Sequence, residues 1–268
     1  MAGITALFSK KQQAPHLAHL IQHVLGSTFD LSTIQSVRVP LDNASVTLGA
    51  TFPKHFQRKK AYATKDSHTL LLYCELYNDL MGQDEAEYVL ATFAETGFSC
   101  LSNLNGPFAF VIWNDHKKEL VAVTDRLGRY PLFYFASDDL VGITSDLDAC
   151  FSAGIYHASI LKESLIDLLT IGFPLGDKAN FEGVKRLTGG KYLIISSQGI
   201  EECRYWQPSF RDGQINVEQL VDTFETCTKR AVEKYPRSTA TLSGGWDSRA
   251  TWSLLGKYKN NVTATTYG

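Results

Sequence analysis

A glycine loop between a strand-like run and a helical run constrains the fold of this chain more than any other feature. Thr239–Leu242 is a short β-like run, the loop Ser243-Gly244-Gly245-Trp246-Asp247-Ser248 follows it, and Arg249–Leu255 has helical character. Asn261–Gly268 then predicts a second short strand. Because strands joined through a helix usually pair in parallel, this order predicts a β-loop-α-β unit that begins a parallel sheet.

The residue types of this glycine loop favour anion binding. Gly244 and Gly245 allow a tight turn and a close approach of the backbone to a phosphate, which the N–H groups at the helix N-terminus would face. Ser243 and Ser248 add hydroxyl donors, and Asp247 is interpreted as a Mg²⁺ ligand. The alternative is an ordinary turn with Asp247 as a helix cap. The strand–loop–helix context favours the nucleotide interpretation, although no Gly-Lys-Ser/Thr of the Walker type ends the loop.

The chain before residue 208 has the pattern of a β-rich domain with helices. Short strand-like runs separated by turn residues favour antiparallel pairing. These runs are Ile4–Phe8, Ser45–Ala50, Thr69–Tyr73, Phe108–Trp113, Glu119–Thr124, Leu132–Phe135, Leu140–Thr144 and Lys191–Ser196. Helices are expected at Pro15–Leu25, Asp84–Thr96 and Lys162–Leu169. Gly172–Gly190 is interpreted as a long connection, so sheets with helices laid on them follow.

A change of pattern between Pro208 and Gly213 predicts a domain boundary. Val217–Tyr235 has helical apolar spacing and Pro236 ends it, so a new domain begins after the boundary. The predicted domains are residues 1–208 and 214–268.

Charge and composition exclude several classes of partner. Because 26 basic residues nearly balance 28 acidic ones, neither nucleic acid nor an anionic membrane is expected as a partner. No run approaches the ~20 apolar residues of a membrane span, and the N-terminus lacks a secretory pattern, so we expect a cytoplasmic protein. The five cysteines include no CxxC pair, which favours buried, reduced thiols over disulfides or a zinc site.

Two groups of polar residues invite a functional interpretation. His16, His19 and His23 fall on one helical face with the spacing of a metal site, but without a nearby carboxylate or cysteine a solvated or partly packed face is favoured. Asp125 and Arg126 form a charged pair beside Gly128 that invites a catalytic interpretation, but the family resemblance given below implies that they hold a loop between two strands.

Four segments outside the glycine loop occur in a recognisable order: Leu104–Phe110, Asp125–Tyr134, Gly183–Leu187 and Arg204–Trp206. Together with the loop they resemble the successive landmarks of the asparagine synthetases and their relatives, whose synthetase domain opens with Ser-Gly-Gly-x-Asp-Ser. The resemblance implies an α/β protein with an α+β N-terminal half. That half would be a class II glutamine amidotransferase domain, a four-layer α/β/β/α sandwich of the N-terminal-nucleophile type, over the first ~200 residues.

The amidotransferase half departs from the family pattern at its active site. Ala2 stands where the family has its N-terminal cysteine, and alanine cannot be a nucleophile. Tyr73-Cys74-Glu75 replaces the family's Asn-Gly-Glu, its glutamine-binding aspartate falls near Asp84 or Glu85, and no counterpart of its substrate-binding arginine is found in residues 51–60. We therefore expect no glutaminase activity and no catalytic residue in this half.

The synthetase half departs from the pattern at two positions. Trp246 occupies a variable position usually filled by a smaller aliphatic residue, and it would pack beneath the loop or partly close it. Arg249 would add positive charge toward pyrophosphate or face solvent.

The resemblance implies an ATP- and Mg²⁺-dependent ligase. A small-molecule carboxylate is adenylated, pyrophosphate leaves, and ammonia or an amine attacks. The implied ATP-binding residues are Leu242, Ser243, Gly244, Gly245, Asp247 and Ser248, with Asp247 serving the metal. Because a β-loop-α-β start cannot cover its own sheet, we expect a chain that is incomplete, or a homodimer or partner chain that supplies the rest of the synthetase domain.

Two other functions compete with this hypothesis. One is a non-catalytic scaffold or regulatory subunit. The other keeps the loop but uses it for tRNA thiolation or for GMP or NAD synthesis; the amidotransferase-like half argues against thiolation, and the lack of a basic surface argues against tRNA.

Overall fold

The computed structural model describes residues 3–10, 16–26, 34–39, 45–53, 61–157, 159–210, 213, 216–235, 237–258 and 262–266. The chain divides into two compact units, Met1–Gln207 and Pro208–Gly268. The assignment of the second unit to a synthetase domain stays a prediction. No helix within the described ranges is long and apolar enough to cross a bilayer.

The first unit alternates short strands with four helices over its described residues. In chain order its elements are β1 (Gly3–Ser9), α1 (Leu17–Gly26), β2 (Ile34–Arg38), β3 (Val46–Pro53), β4 (Tyr62–Lys65), β5 (His68–Cys74), α2 (Glu85–Thr96), β6 (Phe108–Asn114), β7 (Glu119–Thr124), β8 (Leu132–Ala136), β9 (Leu140–Thr144), α3 (Leu147–Ser152), α4 (Lys162–Ile171), β10 (Val184–Leu187), β11 (Lys191–Ser196) and β12 (Gly199–Arg204). A 3₁₀ helix, Gly97–Ser102, follows α2.

The strands of the first unit form two six-stranded sheets. One has the order β10-β8-β9-β1-β3-β2 and the other β12-β11-β7-β6-β5-β4. Every pair in both sheets is antiparallel. The first strand of the chain, β1, is thus a central strand, held between β3 and β9.

The two sheets pack face to face. Their shared core joins Ile4 and Leu48 of the first sheet to Val111 and Trp113 of the second. Successive side chains of a strand point to opposite faces of the sheet. The apolar side chains on the outer face of each sheet therefore need a separate layer to cover them.

Helices cover the outer face of each sheet. Leu17 and Ile21 of α1 pack against Leu7 of β1. Val89 of α2 packs against the outer face of the second sheet around Phe110. The result is the four-layer α/β/β/α sandwich expected from the sequence, and burial of β1 on both faces explains why all seven of its residues are buried.

Helix α4 buries a polar side chain and exposes its large apolar ones, the reverse of the usual distribution on a surface helix. Ser164 is buried and donates its Oγ–H to the Ala179 carbonyl at 2.6 Å, while Asp167 accepts the Leu175 N–H at 3.0 Å and pairs with Lys178. Polar contacts therefore attach the helix to the unit. Its large apolar side chains are exposed instead: Leu165, Ile166, Leu168, Leu169 and Ile171.

The interpretation of Gly172–Gly190 as one long connection was wrong, because this segment contains β10. Val184 and Leu187 are buried and β10 pairs with β8. Because Lys185 and Arg186 lie between these two residues, the segment lacks the apolar alternation that indicates a strand. Three further strands, β2, β4 and β12, also lack sequence-based counterparts, and the remaining strands differ from their expected bounds by three residues or fewer.

Buried thiols account for three of the five cysteines. Burial raises the pKa of Cys100 to about 11 and that of Cys150 to about 12. Cys74 is also buried, but Cys203 is half-buried and Cys227 is exposed, so the expectation of buried thiols was wrong for the last two. All five are free thiols.

The second unit contains α5 (Val217–Lys234), β13 (Ser238–Thr241), α6 (Trp246–Leu255) and β14 (Val262–Thr265). Strands β13 and β14 pair in parallel, with Ser238 opposite Val262. Val232, Leu255 and Val262 form its small core. The strand–loop–helix–strand order matches the sequence-based expectation, although Asn261 and residues 267–268 lie outside the described ranges.

Candidate functional site

The glycine loop links the end of β13 to the start of α6. The Leu242 N–H donates to the Thr265 carbonyl at 2.8 Å, so pairing with the neighbouring strand extends up to the loop. Helix α6 begins at Trp246, three residues before the expected Arg249, because Trp246, Asp247 and Ser248 already form its first turn. The expected order therefore holds, with a loop that is shorter than the motif.

Serine hydroxyls at the two ends of the loop meet each other. The Oγ atoms of Ser243 and Ser248 are 3.0 Å apart. Ser248 Oγ lies 2.9 Å from the Ser243 carbonyl and 3.0 Å from the Gly245 carbonyl, and the Gly245 N–H donates to Ser243 Oγ at 3.3 Å. The loop thus brings both candidate phosphate-binding hydroxyls to one place.

The two loop glycines are not required by the backbone. Neither Gly244 nor Gly245 is among the residues with positive φ, and Gly245 has φ −76° and ψ 159°, which any residue adopts. A Cβ at Gly244 would meet no atom within 4 Å, and one at Gly245 would meet only Ser243 Oγ at 3.4 Å. Because these two residues have no side chains, open space remains above the loop. The expectation that a tight turn requires both glycines was wrong.

The N-terminus of α6 has no side-chain cap within the described part of the chain. Gly245 is the N-cap residue and Asp247 is the second residue of the helix, so the alternative that Asp247 caps α6 was wrong. Its carboxylate is exposed in the first turn. First-turn N–H groups and an adjacent carboxylate are the groups that a phosphate and its cation require.

Trp246 and Arg249 lie on the outside of the loop. Trp246 is 82% exposed, so the alternative that it packs beneath the loop was wrong. The Arg249 guanidinium lies over its indole ring, 4.5 Å from the ring centroid, and Arg249 Nε is 3.4 Å from the Gly245 carbonyl oxygen. The pair keeps a positive charge beside the helix N-terminus.

In the first unit, the start of β1 is fixed by Ser145. The Ile4 N–H donates to Ser145 Oγ at 2.9 Å, and a Cβ at Gly3 would approach that oxygen to 1.8 Å. Glycine is therefore needed beside position 2. Ala2 itself, the residue in the nucleophile position, lies outside the described residues.

Aromatic rings fill the space between the two sheets near Glu75. Tyr73 stacks on Phe52 with ring centroids 5.9 Å apart, and Tyr130 meets Tyr73 edge to face at 4.5 Å. The Tyr130 hydroxyl donates to Glu75 Oε1 at 2.8 Å. The sequence analysis missed this cluster; only the replacement at Tyr73-Cys74-Glu75 pointed to a change there.

Asp84 and Glu85 are both engaged with backbone. Asp84 is the N-cap of α2 and its Oδ1 accepts the Glu87 N–H at 2.9 Å. Glu85 Oε1 accepts the Leu76 N–H at 3.1 Å. Both candidates for a glutamine-binding carboxylate thus have a structural role, and most of residues 51–60 lie outside the described ranges.

Asp125 anchors the turn between β7 and β8. Its buried carboxylate accepts N–H groups from Leu127 at 2.8 Å, Arg129 at 3.1 Å and Phe108 at 3.2 Å. These contacts leave it holding a loop between strands, as the sequence predicted.

The histidines of α1 do not form a three-residue group. The Nε2 atoms of His19 and His23 are 3.4 Å apart, with ring centroids at 4.4 Å. Across the described ranges, no set of three or more His, Cys, Asp or Glu side chains is arranged to hold a metal ion.

The first unit is a sandwich of two antiparallel sheets between helices. A family model described as a glutamine amidotransferase domain matches residues 72–206, half of the chain. The chain belongs to this family.

Alignments with curated relatives cover more of the chain than the family model does. The chain is 29% identical over 206 residues to asparagine synthetase [glutamine-hydrolyzing] 3 of Bacillus subtilis, covering 69% of this chain and 33% of that protein. It is 26% identical over 191 residues to amidase chyE of Penicillium rubens, covering 68% and 28%. A putative asparagine synthetase of Mycobacterium tuberculosis is 26% identical over 230 residues, covering 76% and 35%. The chain thus spans about a third of the length of these relatives.

A solved structure supports the fold. Glutamine phosphoribosylpyrophosphate amidotransferase from Bacillus subtilis, complexed with ADP and GMP, aligns with a TM-score of 0.50 at 12% identity. The alignment covers 98% of this chain and 65% of that one. At this identity the likeness concerns the fold alone.

Proposed function

We propose that the chain is part of an asparagine synthetase-like ligase that uses ATP and Mg²⁺ to activate a small-molecule carboxylate. Ammonia or an amine then attacks the adenylated carboxylate, forming an amide and releasing AMP. The amidotransferase-type unit hydrolyses no glutamine in this proposal.

The open glycine loop carries the proposal. Gly244 and Gly245 are demanded by neither φ nor packing, yet they lie at an uncapped helix N-terminus, between two serines whose hydroxyls are 3.0 Å apart. A turn that served only folding would not need this open space. A bound phosphate would use it, because backbone N–H groups can then reach the anion directly.

The loop residues fit ATP with Mg²⁺. Leu242 and the glycines present backbone, Ser243 and Ser248 present hydroxyls, and the exposed Asp247 carboxylate presents oxygen ligands of the kind that Mg²⁺ prefers. When bound, Mg²⁺–ATP supplies the adenylyl group and a neutralised pyrophosphate leaving group. The loop donors would orient the phosphates and stabilise the charge that develops on them.

The aromatic cluster of the first unit supports loss of glutaminase activity. Phe52, Tyr73 and Tyr130 occupy the space beside Glu75, and alanine at position 2 offers no thiol or hydroxyl. Ammonia or an amine would therefore come from solution or from a second substrate.

The second unit has surfaces suited to further polypeptide. Val217, Leu220, Val221 and Phe224 are exposed along one face of α5. Parallel sheets are usually covered on both faces, and two strands cannot bury both of theirs. A homodimer or a chain that supplies the rest of a synthetase domain would cover these surfaces.

Calorimetric titration of the protein with ATP and Mg²⁺ tests the proposal. We expect binding that weakens by about tenfold or more in Asp247→Ala and Ser243→Ala, since each loses a charge-assisted or hydroxyl contact. Asp222→Ala, which removes an exposed carboxylate from α5, is the matched control and should bind normally. Equal binding by all four proteins would contradict the assigned site.

A second function is favoured by the filled space between the sheets. A scaffold or regulatory subunit would keep the sandwich and lose the pocket. It requires no ATP binding, so an absence of binding in the titration supports this function over the ligase.

A further inference from the structure

Helix α1 presents two histidines on its exposed side. His19 and His23 are exposed, while the opposite side of the helix buries Ile21 and Val24. The helix is therefore fixed to the sheet by its apolar side. The two imidazoles, one turn apart, share a solvent-facing surface.

The two rings converge at their Nε2 atoms. These atoms are 3.4 Å apart, while the ring centroids are 4.4 Å apart. Metal–imidazole bonds of about 2.0–2.1 Å at a tetrahedral angle separate two ligating nitrogens by about 3.4 Å. The pair already has the spacing of two ligands of one ion.

A direct hydrogen bond explains the spacing less well. Hydrogen bonds from N–H groups to oxygen normally span about 2.7–3.2 Å. The 3.4 Å between the two Nε2 atoms exceeds that range. The contact is thus a long hydrogen bond between the rings, and the same separation suits a metal ion held between the two nitrogens.

We propose that His19 and His23 bind one divalent late transition-metal ion through their Nε2 atoms, with water completing its coordination. Imidazole suits Cu²⁺, Ni²⁺ and Zn²⁺, and Cu²⁺ should bind most tightly because nitrogen sites follow the Irving–Williams order. Mg²⁺, which requires oxygen ligands, should not bind there. The site is distinct from the one assigned to Asp247 and does not depend on ATP.

His16 is outside the site. The sequence spacing places it on the same face, but no group of three metal-ligating side chains occurs in the described part of the chain. The structure thus reduces a three-histidine pattern to a two-histidine chelate, and this difference makes the proposal testable by single substitutions.

The experiment is calorimetric titration of untagged protein with CuCl₂, NiCl₂ and ZnCl₂ in a buffer that does not chelate metals. We expect one site, with Cu²⁺ bound most tightly. His19→Asn and His23→Asn should each weaken Cu²⁺ binding by about tenfold or more, because two ligands held on one helix act together. His16→Asn and the exposed His116→Asn are matched controls and should bind as the unsubstituted protein does.

Electron paramagnetic resonance of the Cu²⁺ complex provides an independent readout. Hyperfine coupling from two imidazole nitrogens is expected, and from one in either single variant. Circular dichroism checks that the variants fold. Unchanged binding in His19→Asn and His23→Asn, a dependence on His16 or His116, or coupling from one nitrogen in the unsubstituted protein would overturn the proposal.

Discussion

The two candidate regions, one in each unit, differ in how they use space. Around Glu75, the rings of Phe52, Tyr73 and Tyr130 fill the gap between the sheets. At the glycine loop, Gly244 and Gly245 leave open space at a helix N-terminus. The chain thus has packed aromatic side chains in one region and open space beside the backbone in the other.

Gly106 in the first unit and Gly244 in the second also differ in the space that a side chain would have. Gly106 has φ +126°, and a Cβ there would lie 2.1 Å from the Glu75 carbonyl oxygen. Packing and backbone both demand that glycine, whereas neither demands Gly244. Glycine is informative about a ligand only where the fold has no need of it.

The largest effect is expected from Gly106→Ala. A side chain at this φ, in contact with the Glu75 carbonyl, should lower the free energy of unfolding by about 3 kcal/mol or more. Urea unfolding monitored by tryptophan fluorescence measures the loss. Gly244→Ala is the matched control, because its Cβ would enter open space, and it should leave stability unchanged or slightly raised. Equal destabilisation by both substitutions would remove the contrast.

Gly244→Val should act on the ligand instead of the fold. Two methyl groups above the loop should weaken ATP binding by about tenfold or more, since the phosphates could no longer reach the backbone. Gly256→Val, at the other end of α6, also enters open space and is the control. Titration calorimetry compares them. If the two variants bind ATP equally well, the open space has no role in binding.

The hydrogen bond between Tyr130 and Glu75 should couple the two residues by about 1 kcal/mol. A double-mutant cycle with Tyr130→Phe and Glu75→Ala measures this coupling in urea unfolding. A coupling near zero would mean that the cluster fills the space by packing alone.

The smallest effect is expected from Ala2→Cys. Restoring the family's thiol should yield no measurable glutamate release from glutamine, because the aromatic cluster remains. The triple variant Ala2→Cys, Tyr73→Asn, Cys74→Gly is the comparison, since it also restores the neighbouring motif. Activity in the single variant would show that the filled space does not prevent glutamine binding.

The sequence predicted most strands of the sandwich because their apolar residues alternate over several positions. Strand β7, Glu119–Thr124, has its expected bounds. A turn precedes it and Asp125 follows it, and both mark its ends in the sequence. Strand β10 was missed because it is four residues long and Lys185-Arg186 occupy its centre. Short edge strands are specified by their neighbours more than by their own residues.

The site residues divide in the same way. Ser243, Gly244 and Asp247 could be proposed as site residues because they lie within one six-residue segment, so the sequence alone carries their pattern. The aromatic cluster joins positions 52, 73 and 130, and only the folded chain reveals that proximity. The convergence of the His19 and His23 rings likewise depends on rotamers that the spacing does not specify.

The central position of β1 affects how the protein folds during synthesis. This strand leaves the ribosome well before its partner β9, with which it pairs through Thr5 opposite Thr144. At about 5–20 residues per second, the ribosome needs on the order of ten seconds to make the intervening chain. During that interval β1, with its apolar Ile4, Leu7 and Phe8, has no complete sheet to join. We therefore expect chaperones that bind nascent chains to contact β1 until β9 emerges.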